Sequence, residues 1–188
     1  NHEDISLLFM KRLSKEFGGQ LDMAIQIFED KYPKPFLHQL VSSQLDMDRM
    51  DYLNRDSFYT GVSEGIIGSD RIIAMLDVRG NQLVVEQKGI YSIEKFLVAR
   101  RLMYWQVYMH KTVVSSEVLL ISILQRAKEL CKAGAQLFAS PSFLLFLEND
   151  FGIEDFENDS NLLNQFALLD DTDVVGAIKV WQSHEDKV

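Results

Sequence analysis

Val41-Ser-Ser-Gln-Leu-Asp46-Met-Asp48-Arg49-Met-Asp51-Tyr52-Leu-Asn-Arg55-Asp56-Ser-Phe-Tyr59-Thr-Gly61 places four carboxylates, two arginines and two tyrosines on one stretch that its spacing predicts to be helical from about Asp46 to Tyr59. With about 3.6 residues per turn, Asp48, Tyr52 and Asp56 fall at i, i+4 and i+8 and share a stripe. Asp51 and Arg55 form an i, i+4 ion pair beside it. Leu45, Met50, Leu53 and Phe58 supply the apolar contacts, so the helix is expected to pack into a core while its polar stripe faces something that needs it. Carboxylates drawn out of water in that way need a cation.

The rest of the chain sets the limits. Its 188 residues, 47% hydrophobic and 11% aromatic, suffice for one sizeable core or a core with a small appendage. Ten glycines and three prolines favour helices with short connections over a many-turned sandwich. A net charge of −9 argues against a broad nucleic-acid or anionic-membrane footprint, so any phosphate site must be local. Cys131 is the single cysteine, which rules out an intrachain disulfide, suits a reducing cytoplasmic setting and reads as a packing residue. The apolar runs Val118–Leu124 and Ser142–Leu147 fall far short of the ~20 residues of a membrane span. The chain opens Asn-His-Glu-Asp without an initiator Met, and both of its ends read as cut.

Periodicity predicts an all-α fold with a small β-hairpin insertion. Helices are expected at Ile5–Phe17, capped by Gly18-Gly19, at Leu21–Tyr32 with Met23, Ala24, Ile27 and Phe28 inward, and at Phe36–Gln44. Gly61, Gly65 and Gly68 mark a loop, and a hairpin turning at Arg79-Gly80-Asn81 lies within about 72–89. Ser92 reads as the N-cap of a long helix to about Lys111, with Ile93, Phe96, Leu97, Leu102, Trp105 and Val107 as its apolar set. Ser115 or Ser116 is expected to cap a further helix, Glu117 to Lys132, that ends at Gly134. Residues 142–188 read as short acidic helices with an N-terminal signal at Asp170-Asp-Thr-Asp173. Residues 1–135 form one predicted region and 136–188 an acidic helical one.

A second constellation stands at Arg100, Tyr104 and Tyr108, again at i, i+4 and i+8. A guanidinium flanked by phenols suits an anionic, ring-containing ligand: Arg forks onto phosphate oxygens, and tyrosine offers a stacking face and a hydroxyl. A half-buried amphipathic helix explains the same pattern equally well when it is taken alone. His2, His38, His110 and His184 show no zinc-type spacing, and His38 and His184 read as structural or surface groups. Gly-rich phosphate loops and nucleophile elbows are absent from the sequence.

The Val41–Gly61 run strongly resembles the last metal-ligand motif of HD-domain phosphohydrolases, and within them the deoxynucleoside triphosphate triphosphohydrolase branch. Arg100-x-x-x-Tyr104-x-x-x-Tyr108-Met-His110-Lys111 is similar to the substrate helix of that branch, and His2-Glu3 matches a His-Glu that follows the metal half-site. The resemblance covers about residues 2–135. It implies that Asp48 is the ligand of a divalent metal such as Mg, Mn, Fe, Ni or Zn. It further implies that Arg49 and Arg100 bind phosphate, that Tyr52 and Asp56 contact the sugar, that Tyr104 lines the substrate site, and that Tyr108 packs on the sugar and excludes a 2′-hydroxyl. His2 would then be catalytic, close to the reacting phosphate. The family's earlier His and adjacent His-Asp have no counterpart, because the sequence contains no His-Asp dipeptide. Tyr104 stands where a His is frequent, and Met109 where a polar residue can occur.

The resemblance implies a metal-dependent phosphohydrolase that converts a dNTP to deoxynucleoside and triphosphate in the longer protein, through attack of a metal-bound hydroxide on the α-phosphorus. It also implies a nucleotide or other phosphate-ester substrate, no membrane partner and a homo-oligomer, with Trp105, Trp181 and the Phe-rich stretch 143–156 as interface or core residues. The alternative is a non-catalytic nucleotide-binding, regulatory or oligomerisation module on the same scaffold.

Overall fold

The structure, a computed structural model, describes residues 2–186. Its order is α1 His2–Glu16, α2 Asp22–Phe28, α3 Pro35–Val41, α4 Met47–Thr60, α5 Ser69–Ala74, β1 Leu76–Arg79, β2 Gln82–Val85, α6 Ile90–Met103, a π-turn Tyr104–Tyr108, α7 Lys111–Lys132, α8 Pro141–Glu148, α9 Ile153–Asn158, α10 Ser160–Ala167 and α11 Asp171–Trp181. The fold is all-α with one small hairpin, as the periodicity predicts. The chain divides into two compact units: one is Phe17–Ser115, and the other joins α1 to everything from Ser116 onward.

The Phe17–Ser115 unit is built on α4 and α6. Met50 and Leu53 from α4, Ile67 and Ile72 from the following segment, and Phe96, Ala99 and Met103 from α6 form its buried core. Asp46 caps α4 by accepting from the Arg49 N–H at 2.8 Å, and Gly61 ends the helix in the left-handed region at φ 72°. Asn54 pins the next loop, accepting from Ile67 N–H at 3.0 Å and donating to Ser69 Oγ at 2.7 Å. The buried Gly65 is there for closeness: a Cβ on it would lie 2.6 Å from Met103 Sδ. The hairpin pairs Leu76 with Val85 and Arg79 with Gln82 in antiparallel register. Both turn residues, Gly80 (φ 54°) and Asn81 (φ 66°), are left-handed, as a tight two-residue turn demands. Gln39 of α3 closes one edge of the hairpin, accepting from Leu83 N–H at 2.8 Å and donating to Gln82 Oε1 at 2.6 Å.

The other unit has its own core of Ala127, Cys131, Leu137, Phe143, Leu147 and Ala177. Trp181 stacks on Phe143 at 6.1 Å and donates from its indole to the Phe138 carbonyl at 2.9 Å, which makes it a core residue. Phe156, Leu162 and Leu163 pack with Ile5, Leu8 and Phe9 of α1. The buried Cys131 thiol is pushed above its ordinary value by burial, in keeping with a packing role. Asp170 caps α11 in a reciprocal box with Asp173, where the sequence signal places it.

Several expectations are corrected. Phe58 is 80% exposed, because one turn beyond Leu53 the core-facing position is Ser57 and Phe58 has rotated past it. Met23 is exposed and Ile25 buried in α2, which is shorter than predicted. Residues 72–74, expected to open the hairpin region, belong instead to the helix Ser69–Ala74. The long helix begins at Ile90, before Ser92, and gives way at Met103 to a π-turn. Leu97 and Trp105 face outward, while Ala99 and Met103 face the core. Ser115 and Ser116, expected to start a helix, lie inside α7, which runs continuously from Lys111. Among the described residues no single helix is long and apolar enough to cross a membrane.

Candidate functional site

Two elements of the Phe17–Ser115 unit bring the predicted residues together. Helix α4 presents Asp48, Tyr52 and Asp56 on one stripe, and α6 with the π-turn presents Arg100, Tyr104 and Tyr108. The Tyr108 hydroxyl donates to Asp56 Oδ2 at 2.5 Å. Its ring meets that of Tyr52 edge-on at 6.0 Å and that of Tyr104 edge-on at 5.2 Å. The Arg100 guanidinium lies 5.8 Å from the Tyr104 ring centroid and donates from Nη1 to Gln44 Oε1 at 3.0 Å. The result is a half-buried phenol cluster joined to a carboxylate and fringed by cations.

The π-turn is what aims Tyr108. Its closing bond runs from Met109 N–H to the Tyr104 carbonyl at 2.7 Å, five residues back, so one extra residue is accommodated in the turn. The sequence carries no mark of this. His110, just beyond, accepts from Thr112 N–H through Nδ1 at 3.3 Å at the start of α7, and His38 holds the Ile27 carbonyl through Nδ1 at 2.9 Å; both are local structural contacts.

The electrostatics follow from burial. Tyr108 is raised well above the ordinary phenol value, first by burial and then by its hydrogen bond to Asp56. Burial also raises Tyr52, with Arg100 and Arg49 pulling the other way, which places both guanidinia within the field of this ring. A phenol whose folded pKa exceeds its unfolded value of about 10 holds its proton more tightly when folded, so this contribution to stability is complete below pH ~10 and is lost as the pH rises beyond it. In a tyrosinate absorbance titration Tyr52 and Tyr108 are expected to ionise above the ordinary phenol value, and Tyr108→Phe to remove part of that late absorbance. Ionisation of all tyrosines together near pH 10 would contradict the cluster.

At the head of α4 the aspartates divide their work. Asp46, 2% exposed, accepts from Ser43 N–H at 3.1 Å and Arg49 N–H at 2.8 Å, and it pairs with the Arg49 guanidinium. Arg49 Nη1 also donates to the Ser43 carbonyl at 2.5 Å, while its Nε is buried without a hydrogen-bond partner among the described residues. Asp48 is exposed in the first turn, where the helix dipole favours negative charge. Arg49, predicted as a phosphate ligand, is thus folded back onto Asp46. The capping role of Asp46 is a site feature that the stripe argument passed over, although Asp immediately before a helical run signals it. Asp51 pairs with Arg55 at 2.7 Å on the exposed side, as expected. His2 opens α1 in the other unit, exposed, and its place in the chemistry rests on the resemblance alone.

A metal needs more than Asp48 offers. Among the described residues no three His, Cys, Asp or Glu side chains cluster to hold an ion, so the donor set in this chain does not by itself make a metal centre.

Residues 67–138 match the family described as the HD associated region. The uncharacterized protein YwfO of Bacillus subtilis is 34% identical over 172 residues, which cover 91% of this chain and 37% of that protein. The deoxynucleoside triphosphate triphosphohydrolase SAMHD1 homolog of Dictyostelium discoideum is 25% identical over 77% of this chain and 30% of its own length. A solved phosphohydrolase from Bacteroides thetaiotaomicron is 63% identical and superposes with a TM-score of 0.92, over 96% of this chain and 45% of that one. The chain therefore spans less than half the length of these relatives. An all-α frame of the HD type, the match to the HD associated region and these relatives together make the chain a relative of the HD-domain superfamily.

Proposed function

We propose that the protein containing this chain is an HD-type phosphohydrolase acting on nucleotides, and that it hydrolyses a deoxynucleoside triphosphate to deoxynucleoside and triphosphate. One observation carries this reading: the 2.5 Å bond from Tyr108 to Asp56, flanked edge-on by Tyr52 and Tyr104 and fringed by Arg100. A carboxylate locked to a phenol is an acceptor suited to a sugar hydroxyl, and the rings around it restrict the room beside that hydroxyl. Arg100, and Arg49 when released from Asp46, supply guanidinium forks for phosphate oxygens. Asp48 stands exposed at the dipole-favoured end of α4 and can contribute one oxygen ligand to a divalent ion. The remaining ligands would come from outside the described residues.

A second reading is favoured by the hold of Asp46 on Arg49, which keeps that guanidinium from a phosphate: a nucleotide-binding module without hydrolysis. An assay of the full-length protein with divalent metal against the four deoxynucleoside triphosphates, with products separated by chromatography, decides between them. Release of intact triphosphate is expected. Metal-loaded protein that binds these nucleotides without turnover would replace the hydrolase with the module.

A further inference from the structure

We infer that Gln44 is a positioning residue for the phosphate chain of the ligand: it holds the Arg100 guanidinium in place without neutralising it. The inference rests on the nucleotide reading above and names the side chain on which the phosphate contact of that reading depends. Gln44 lies in the connection 42–46 between α3 and α4, and Arg100 lies on α6.

Adjacent residues of this connection take hold of both guanidinia of the site. The Ser43 carbonyl accepts from Arg49 Nη1 at 2.5 Å, and Gln44 Oε1 accepts from Arg100 Nη1 at 3.0 Å. The two arginines are held in opposite electrical states. Arg49 is also paired with the Asp46 carboxylate, which offsets its charge. Arg100 meets a neutral amide, and no carboxylate forms an ion pair with it among the described residues. A neutral acceptor takes one N–H of the guanidinium fork and leaves the full charge and the remaining N–H groups to an anion. Arg100 is therefore the resting phosphate anchor, and Arg49 the one that must first be released.

Gln44 can aim this group because its own backbone is fixed on both sides. Ser43 N–H donates to Asp46 Oδ2 at 3.1 Å, Leu45 N–H donates to Ser43 Oγ at 3.2 Å, and Leu45 packs against the core shared by α4 and α6. The Tyr104 ring, its centroid 5.8 Å from the guanidinium carbon, is a second restraint on Arg100. An arginine side chain has many rotamers to lose on binding. Ordering it before the ligand arrives removes part of that cost from the binding step.

Gln44→Met in the full-length protein tests the role, since methionine keeps the length of the side chain and removes its amide oxygen. Gln44 is exposed, so the variant is expected to fold like the parent, which circular dichroism checks. In calorimetric titrations inorganic triphosphate should bind on the order of fivefold more weakly to the variant, and KM should rise by a similar factor with kcat within about twofold of the parent. Binding of the deoxynucleoside of the preferred nucleotide should not change, because it offers no phosphate to Arg100. In an Arg100→Ala background Gln44→Met should add nothing further. Unchanged triphosphate binding by Gln44→Met, with the parent active, overturns the positioning role and leaves the hydrolase reading standing. Equal weakening towards triphosphate and deoxynucleoside makes Gln44 a general structural residue and overturns the role as well. A metal-loaded parent that neither binds nor hydrolyses any of the four nucleotides removes the nucleotide reading, and the role of Gln44 falls with it.

Discussion

Asp46→Ala is expected to destabilise the Phe17–Ser115 unit by about 3 kcal/mol, towards the low end of what breaking a buried ion pair costs because Arg49 keeps some contact with water. Three donors converge on this carboxylate: two backbone N–H groups and a guanidinium. Alanine leaves the first turn of α4 uncapped and strands a largely enclosed positive charge whose Nε already has no partner among the described residues. Asp46→Asn preserves the shape and a capping oxygen but removes the charge, so it should fall between the parent and alanine. Urea denaturation followed by circular dichroism is the check, with a lower midpoint at unchanged slope. A loss below about 1 kcal/mol would mean that the cap alone, and not the charge pair, was removed.

Two residues further on, the opposite result is expected. Asp48→Asn should shift stability by no more than about 0.5 kcal/mol, because the side chain is exposed and has no polar partner to lose among the described residues. In the full-length protein it should nevertheless abolish nucleotide hydrolysis and the retention of a divalent ion. Turnover and bound metal measured on the same preparation give the answer. Activity equal to the parent would remove Asp48 from the chemistry, and with it the phosphohydrolase reading of this helix. The pair of variants therefore separates the aspartate that holds the helix from the aspartate that the helix holds out.

Much of this was legible from residue order. The i, i+4, i+8 stripes place Tyr52 and Asp56 of α4 beside Tyr104 and Tyr108, because helical periodicity fixes which residues share a face. The hairpin was visible in Gly80-Asn81, and α11 in Asp170-Asp-Thr-Asp173. What escaped had no local signature. The inward face of α6 differs from the expected one at Leu97 and Trp105 because the helix scatters apolar and charged residues around its axis and offers little contrast by which to choose. The break at Tyr104–Tyr108 depends on one displaced hydrogen bond, and the retraction of Arg49 onto Asp46 depends on a carboxylate that the periodic argument had counted only as charge. Ser115 and Ser116 have the chemistry of caps, yet they lie inside α7, where the apolar run on either side carries the helix through them.

The π-turn has an evolutionary consequence. It amounts to one extra residue taken up at the end of α6, before the bend into α7, and deleting one residue there would restore ordinary winding and change which side chains of the turn face α4. The hydroxyl that meets Asp56 would be replaced by whatever neighbour rotated into its place, with the core below untouched. A scaffold of this kind can be retuned by a change in chain length of one codon, a route to new ligand preference that leaves every other position of the helix free to stay as it is.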